Sequence, residues 1–531
     1  MRILVVSEAH WLNTGYAIYY RNICEALHEA GHEVFELASY GNANLQDHVK
    51  TANKCPWTVY LNIPKADNTE EWRLYNESKT KRLDTDFGSW NFENIVLQCW
   101  PDVVIAIRDH WYDKFIMDSP LAKYYTTVLS PTCDSKPQRY DWIDTFQKVD
   151  ILTFYTQWSQ DWIKTQCNTK NIVDHIAPAP NSLFKPLDKL KCREKLGISH
   201  RHKILSTVMR NQPRKQYPAL FEAFSRLKDK STVLYCHTHF EDRGWDIPKL
   251  ILQNGIADRV YFTYKCTECF DISADIFKIN NVCEKCNSVK EVCSVQDGAS
   301  IEELNIVYNC ADLYVQWANS EGFGIPLVEA AAAGIKTITV DYSAPEDIVT
   351  KTESFAITPL SLNRELGTLC NRAVPDNNAL VDLLDNEESW IYNREDVTTK
   401  LKSNYNWEKT GREWVALVES VTPKEKWAES PTLIAPPSFD RIKDLPIFEF
   451  VKSCILDVYQ EEDMLGTIVH CEALDHLENG SFIPENKTTG VKENTQKSVT
   501  KEMVYGKFYN LLEHKVRWER KKNELLCHRS S

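Results

Sequence analysis

The sequence predicts an α/β chain of two doubly wound domains facing a cleft, each a parallel sheet with helices on both faces. Three observations predict it. Apolar runs of strand length alternate with helical stretches from the first residue, and the alternation restarts after a proline-rich segment. A glycine turn flanked by two glutamates, Glu321 and Glu329, sits between an apolar run and an alanine-rich helix. The chain has 531 residues, 43% of them hydrophobic, which is enough for at least two cores.

Residues 1–7 read as a buried strand, 17–30 as a helix stopped by Gly31, and 33–37 as a second strand. Further apolar runs at 102–107 and 126–130 end in polar turns, and one at 150–156 is followed by a helix at 158–162. Residues 172–184 are proline-rich and lack a period, and the domain boundary is expected near 187–200. The pattern then resumes with strands at 203–209, 232–237 and 259–263, and helices at 217–227 and 247–253. A strand at 311–317, the glycine turn, a helix and a strand at 336–341 complete a βαβ unit. Beyond about residue 420 the pattern changes. Proline-marked loops surround helical stretches at 446–459 and 499–526, with a polar, mobile loop expected at 485–497.

In open α/β folds ligands gather at the carboxyl ends of the strands, which is where this turn falls. Gly322 and Gly324 let backbone N–H groups approach an anion, and the following helix adds its positive dipole end. Carboxylates are poor phosphate ligands but good acceptors for sugar hydroxyls held beside a phosphate. Over residues 321–329 the chain resembles the Glu-x7-Glu signature of retaining glycosyltransferases with the GT-B fold, above all glycosyltransferase family 4. The resemblance covers about residues 1–420. It implies two Rossmann-like domains, an N-terminal acceptor domain at 1–190 and a nucleotide-sugar domain at 191–420. It places Glu321 by the transferred sugar, Glu329 on the ribose, and Gly322, Phe323 and Gly324 against the donor. Gly15, in the loop after the first strand, corresponds to the glycine loop that faces the cleft.

Arg210 and Lys215, between a strand and a helix, have the Arg-x4-Lys spacing of the same family. There the pair binds the donor diphosphate. A departing nucleoside diphosphate concentrates negative charge, which two cations and helix N–H groups stabilise more in the transition state than in the ground state. A catalytic metal is therefore not expected. The donor implied is a nucleoside-diphosphate sugar, UDP-linked by preference. No side chain matches a nucleophile for double displacement. In such enzymes reaction on the front face, with the leaving phosphate drawing the acceptor proton, leaves Glu321 to orient the sugar. His110, next to Asp109 at a strand end, matches by position a histidine near the donor sugar. His10, Asp134 and Trp111 are weaker cleft candidates.

Cys266, Cys269, Cys283 and Cys286 form two Cys-x2-Cys knuckles thirteen residues apart. That spacing suits a tetrahedral site of four thiolates, which leaves no open position and so marks a structural zinc. A zinc-ribbon-like insertion at 265–294 follows, at the rim of the cleft, with Cys293 spare. It could shape the acceptor site or bind a polymer, though its charges nearly balance where a nucleic-acid finger is more basic, and rigidifying a long loop is the other reading.

The net charge of −13 argues against nonspecific binding of nucleic acid by the whole surface. No apolar run is long enough to span a membrane, the N-terminus lacks a signal peptide, and seventeen Cys suggest reduced thiols, so a cytoplasmic protein is expected. The extension 421–531 is expected to be partly helical and to pack back on the N-terminal domain. Its last helix carries Lys515, Arg517, Arg520, Lys521 and Lys522 with Trp518. The chain looks broadly similar to members from T-even-type phages that glycosylate modified bases in their own DNA. The expected acceptor is accordingly a hydroxylated pyrimidine in DNA, flipped out to react, in a host cytoplasm. A glycan, lipid-linked or small-molecule acceptor is the alternative. A third reading is a zinc-ribbon binding protein on an inactive transferase scaffold, against which intact Glu321, Glu329, Arg210 and Lys215 speak. The sugar and the oligomeric state are not legible.

Overall fold

The computed structural model describes residues 1–12, 14–41, 54–167, 170–277, 282–294 and 298–424. The helices and charged loop expected beyond residue 424 lie outside the described residues. The first sheet contains β1 (Arg2–Glu8), β2 (Glu33–Ser39), β3 (Thr58–Leu61), β4 (Val103–Ala106), β5 (Thr126–Leu129) and β6 (Ile151–Leu152). They run parallel in the order β3-β2-β1-β4-β5-β6. Ile3, Val5, Val103 and Ile105 are fully buried beneath the helix Gly15–Glu29, whose Tyr19, Ile23 and Leu27 face them. Strands covered on both faces read as unbroken apolar runs rather than alternations, which is why the sequence shows them so plainly.

The second sheet contains β7 (Ile204–Val208), β8 (Val233–His237), β9 (Val260–Cys266), β10 (Ile272–Ile276), β11 (Lys290–Val292), β12 (Leu313–Gln316), β13 (Thr337–Val340) and β14 (Ser354–Ile357). Its order is β10-β9-β8-β7-β12-β13-β14, with β11 on β9. Without the two antiparallel strands of the cysteine segment, β10 and β11, the remaining order repeats that of the first sheet. In each sheet the winding direction reverses once, between β1 and β4 and between β7 and β12. Loops leaving the sheet on either side of such a switch point splay apart and open a crevice at the carboxyl ends. A hairpin of β15 (Ser361–Arg364) and β16 (Asn371–Val374) follows the second sheet.

Both sheets belong to one compact unit, Met1–Lys424. The helix Lys189–Leu196 stands inside the expected boundary region and leads into β7. The helix Trp407–Glu419 falls within the span assigned to the second domain but packs back on the first. Trp414 Nε1 donates to Tyr19 Oη at 2.9 Å, and Thr410 Oγ1 donates to the Ala177 carbonyl at 2.8 Å. Among the described residues no helix is long and apolar enough to cross a membrane.

Candidate active site at two facing switch points

The loop after β7 carries Arg210, Arg214 and Lys215, and the loop after β12 carries Glu321. These are the two loops at the switch point of the second sheet. Buried Glu321 receives three donors. Lys215 Nζ is ion-paired with Oε1, Arg214 Nη1 lies 2.6 Å from Oε2, and Gln316 Nε2 donates to Oε1 at 2.6 Å. Burial alone would raise this carboxyl, but Lys215 and Arg214 outweigh it and hold the group at about 2. Burial and the charge of Arg214 loosen the hold of Lys215 on its proton, to about 8, against the pull of Glu321. Lys215 and Arg214 thus place two cations at the crevice, facing Glu321 and also within reach of the charge of Asp134.

Arg210 stands apart from this cluster. It pairs with Asp242 through two bonds of 3.0 and 3.2 Å, and its side chain is half exposed. Its loop is fixed by fully buried Asn211, whose amide donates to the carbonyls of Phe240 and Trp245. Arg214, which the Arg-x4-Lys spacing passes over, is the arginine that reaches Glu321. The only hint in the sequence was a third base inside the 210–215 stretch.

The turn itself is built by its glycines. Gly324 has φ +97°, the left-handed region where a Cβ is strained, and it leads into the helix Ile325–Ala332. A Cβ on Gly322 would lie 2.7 Å from Thr132 Cβ, so this position stays bare to let the first sheet's loop approach. Phe323 does not face a ligand: its ring is buried edge-on to Tyr155 and Tyr405. The turn can offer a donor only its backbone there. One helical turn on, buried Glu329 accepts from Tyr308 Oη at 2.8 Å. Burial raises its carboxyl to about 7, with the Tyr308 bond opposing.

The switch point of the first sheet faces this turn. Gly15, at the start of the helix after β1, is exposed, and a Cβ there would lie 3.9 Å from Ile325. Tyr16 Oη donates to Asp109 Oδ1 at 2.6 Å and shares a 2.7 Å hydrogen bond with Thr132 Oγ1. Arg372 of β16 bridges the two sheets, donating to Asp134 Oδ2 at 2.8 Å and to Ser320 Oγ at 2.6 Å. Arg372 and Arg214 together outweigh burial and hold Asp134 below the ordinary carboxylate range.

His110 is placed differently from the expectation. It is fully buried, packed against Trp111, Trp142 and Phe146, and neither ring nitrogen has a hydrogen-bond partner. Burial lowers it to about 3, so the imidazole is neutral. It is Asp109, one residue earlier, that joins the network at the turn. Periodicity could not separate the two, because the short 3-10 helix His110–Tyr112 turns consecutive side chains to different sides.

The four cysteines also converge. Cys266 and Cys286 sulfurs are 3.4 Å apart, Cys269 and Cys283 sulfurs 3.7 Å, and all four lie within 4.8 Å of one another. Sulfurs at about 2.3 Å from a tetrahedral zinc stand about 3.8 Å apart, so this donor set fits. The knuckle is tied to the chain through Asp271, which accepts from Lys195 at 2.6 Å and pairs with Lys285 at 2.7 Å.

Residues 279–378, which include the Glu321–Glu329 turn, match the family model for glycosyl transferases group 1. No curated protein matches the chain by sequence. Among solved structures, sucrose-phosphate synthase from Thermosynechococcus elongatus is similar at 15% identity and a TM-score of 0.57, covering 78% of this chain and 98% of that one. Anabaena HepE in complex with UDP and glucose is similar at 13% identity and a TM-score of 0.55, covering 79% and 100%. The lipopolysaccharide outer core galactosyltransferase WaaB, in its apo form, follows at 14% identity and 0.50, covering 79% and 100%. The chain therefore has the GT-B fold, and the stretch that carries Glu321 and Glu329 matches the glycosyl transferases group 1 family.

Proposed function

We propose that the protein transfers a sugar from a nucleoside-diphosphate sugar to a hydroxyl acceptor with retention of configuration. The observation that carries this reading is the buried cluster of Glu321, Lys215 and Arg214 at the second switch point. A diphosphate entering there draws Lys215 and Arg214 off Glu321. The freed carboxylate then accepts from the sugar's hydroxyls. Glu329 accepts from the ribose, and Arg210 closes on the phosphates from the exposed side. As the glycosidic C–O bond breaks, charge grows on the leaving phosphate between cations already in place, which need no reorganisation. Glu321 orients the sugar through its hydroxyls and does not attack it. The leaving phosphate takes the acceptor's proton. UDP is the favoured nucleotide, in keeping with the UDP held by the similarly folded HepE.

The cysteine quartet is assigned a structural zinc. Through Asp271 and Lys195 it would brace the helix Lys189–Leu196, which joins the two sheets. The expected DNA acceptor rests on the broad resemblance to phage DNA-modifying members, on the insertion at the cleft and on a basic terminal helix, and that helix lies outside the described residues.

The test is to incubate the protein with radiolabelled UDP-glucose, UDP-galactose and UDP-N-acetylglucosamine and follow hydrolysis of each to UDP and free sugar, with water standing in for the acceptor. Turnover of at least one donor is expected, with a drop of 100-fold or more in Glu321→Ala and Lys215→Ala. Turnover unchanged in both variants would sink the assignment of the site.

A further inference from the structure

The loops after β4 and β5 carry more than the transferase reading uses. Trp111 is 42% exposed. It lies stacked on Trp142, with centroids 5.0 Å apart and planes at 25°, and neutral His110 props both rings edge-on from beneath. Two residues before Trp111, Asp109 has one carboxylate oxygen on Tyr16 and remains partly exposed, as are Tyr16 and Thr132. Asp109 thus stands at the first switch point, opposite the turn that carries Glu321. Next to these loops stand Lys136, Arg139 and Arg372. Arg139 pairs with Asp141 and covers Trp142, Lys136 lies over Trp158 and Trp162, and Arg372 is held by Asp134 and Glu365.

We propose that Asp109 and Trp111 form the acceptor subsite, and that the acceptor is an uncharged hydroxylated ring of the pyranoside kind. This rests on the transferase reading and extends it to the other side of the cleft. The C–H face of a sugar ring covers apolar area on an exposed indole without asking for charge. Its rim of hydroxyls needs acceptors that remain ionised or polar, which Asp109 and Thr132 supply. Asp109 Oδ1 is occupied by Tyr16, and Oδ2 receives the acceptor hydroxyl. A polyanion would need cations to replace its counterions. Here Arg139 and Arg372 are already paired with carboxylates, and Lys136, held over Trp158 and Trp162, is too little charge by itself for a polyanion. Burial and the neighbouring acids Asp134 and Glu8 raise Asp109 to about 6, so it is ionised at neutral pH.

The experiment uses the full chain and calorimetry. UDP is titrated first, and p-nitrophenyl glucoside and galactoside are then titrated into the free and the UDP-bound protein. Trp111→Ala and Asp109→Asn are each expected to weaken glycoside binding at least 10-fold while leaving UDP affinity unchanged, which also reports that the fold is intact. Trp111→Phe, which keeps an aromatic face, recovers most of the loss. Glycoside binding that ignores both Trp111→Ala and Asp109→Asn overturns the proposal, as does absence of glycoside binding to the wild type. A single-stranded oligonucleotide carrying hydroxymethylcytosine that binds more tightly than the glycosides, and depends on Trp111, also overturns it in favour of a nucleic-acid acceptor. Failure of the wild type to bind UDP instead strikes the transferase reading, and the glycoside arm on free protein still decides the subsite.

Discussion

Replacing Glu329 with Gln is expected to stabilise the free protein and weaken its hold on nucleotide. The carboxyl is raised from an ordinary 4.5 to about 7 because burial disfavours its charge and a single tyrosine hydroxyl does not compensate. The native state therefore binds this proton more tightly than the unfolded state. Stability from the group is fully present below pH 4.5 and is lost as the pH rises through 7. The shift corresponds to about 3 kcal/mol at pH 8 and to less than about 1 kcal/mol at pH 5. Gln is isosteric, can still accept from Tyr308, and never ionises, so it removes this cost. For a domain of this size roughly 2–4 °C accompany each kcal/mol. Glu329→Gln should thus melt up to about 10 °C above wild type at pH 8 and within a few degrees of it at pH 5, followed by differential scanning calorimetry. The same variant gives up a charged acceptor for the ribose, and a charge-assisted hydrogen bond is worth about 1.5–3 kcal/mol. UDP affinity should fall about 10- to 100-fold. A variant no more stabilised at pH 8 than at pH 5 would refute the reasoning about burial. An unchanged UDP affinity would refute the ribose role.

Lys215 holds its proton only to about 8, so UDP affinity should decline as the pH rises through that value, and Lys215→Arg should abolish the decline; a flat profile in the wild type would exclude Lys215 as a phosphate ligand. Arg214→Ala, which removes a direct partner of Glu321, should slow donor turnover about 100-fold, on the scale of losing one preorganised donor. An Arg210→Ala variant that is the more damaging of the two would restore the expected pair as the main phosphate clamp. Gly322→Ala sets a methyl against Thr132 and should cost at least 10-fold in turnover while leaving the melting temperature nearly unchanged; unchanged turnover would mean that the two loops do not meet. Cys266→Ser should drop zinc from about one ion per chain to none by elemental analysis, and unchanged zinc would exclude the four-thiolate site.

The sequence alone determined the alternation of strands and helices, the two sheets, the paired-cysteine knuckles and the loaded glycine turn. These are local properties. Buried parallel strands are apolar throughout, a turn with φ +97° selects glycine, and Cys-x2-Cys spacing is fixed by how one short loop presents two sulfurs. Tertiary structure decided which neighbours of the signalled residues do the work. Arg214 and Arg210 are both bases in one loop, but only folding places one against Glu321 and the other against Asp242. Asp109 and His110 are adjacent in the chain, yet the first joins Tyr16 and Thr132 across 93 and 116 residues of chain from Tyr16, and the second sinks among aromatic rings. Phe323 looks like part of a donor loop and is instead a packing residue between Tyr155 and Tyr405. The physical reason is common to all three: strand and turn formation depend on residues a few positions apart. Ion pairing, burial and the meeting of two switch points depend on groups from about thirty to well over a hundred positions apart, whose approach no local pattern encodes.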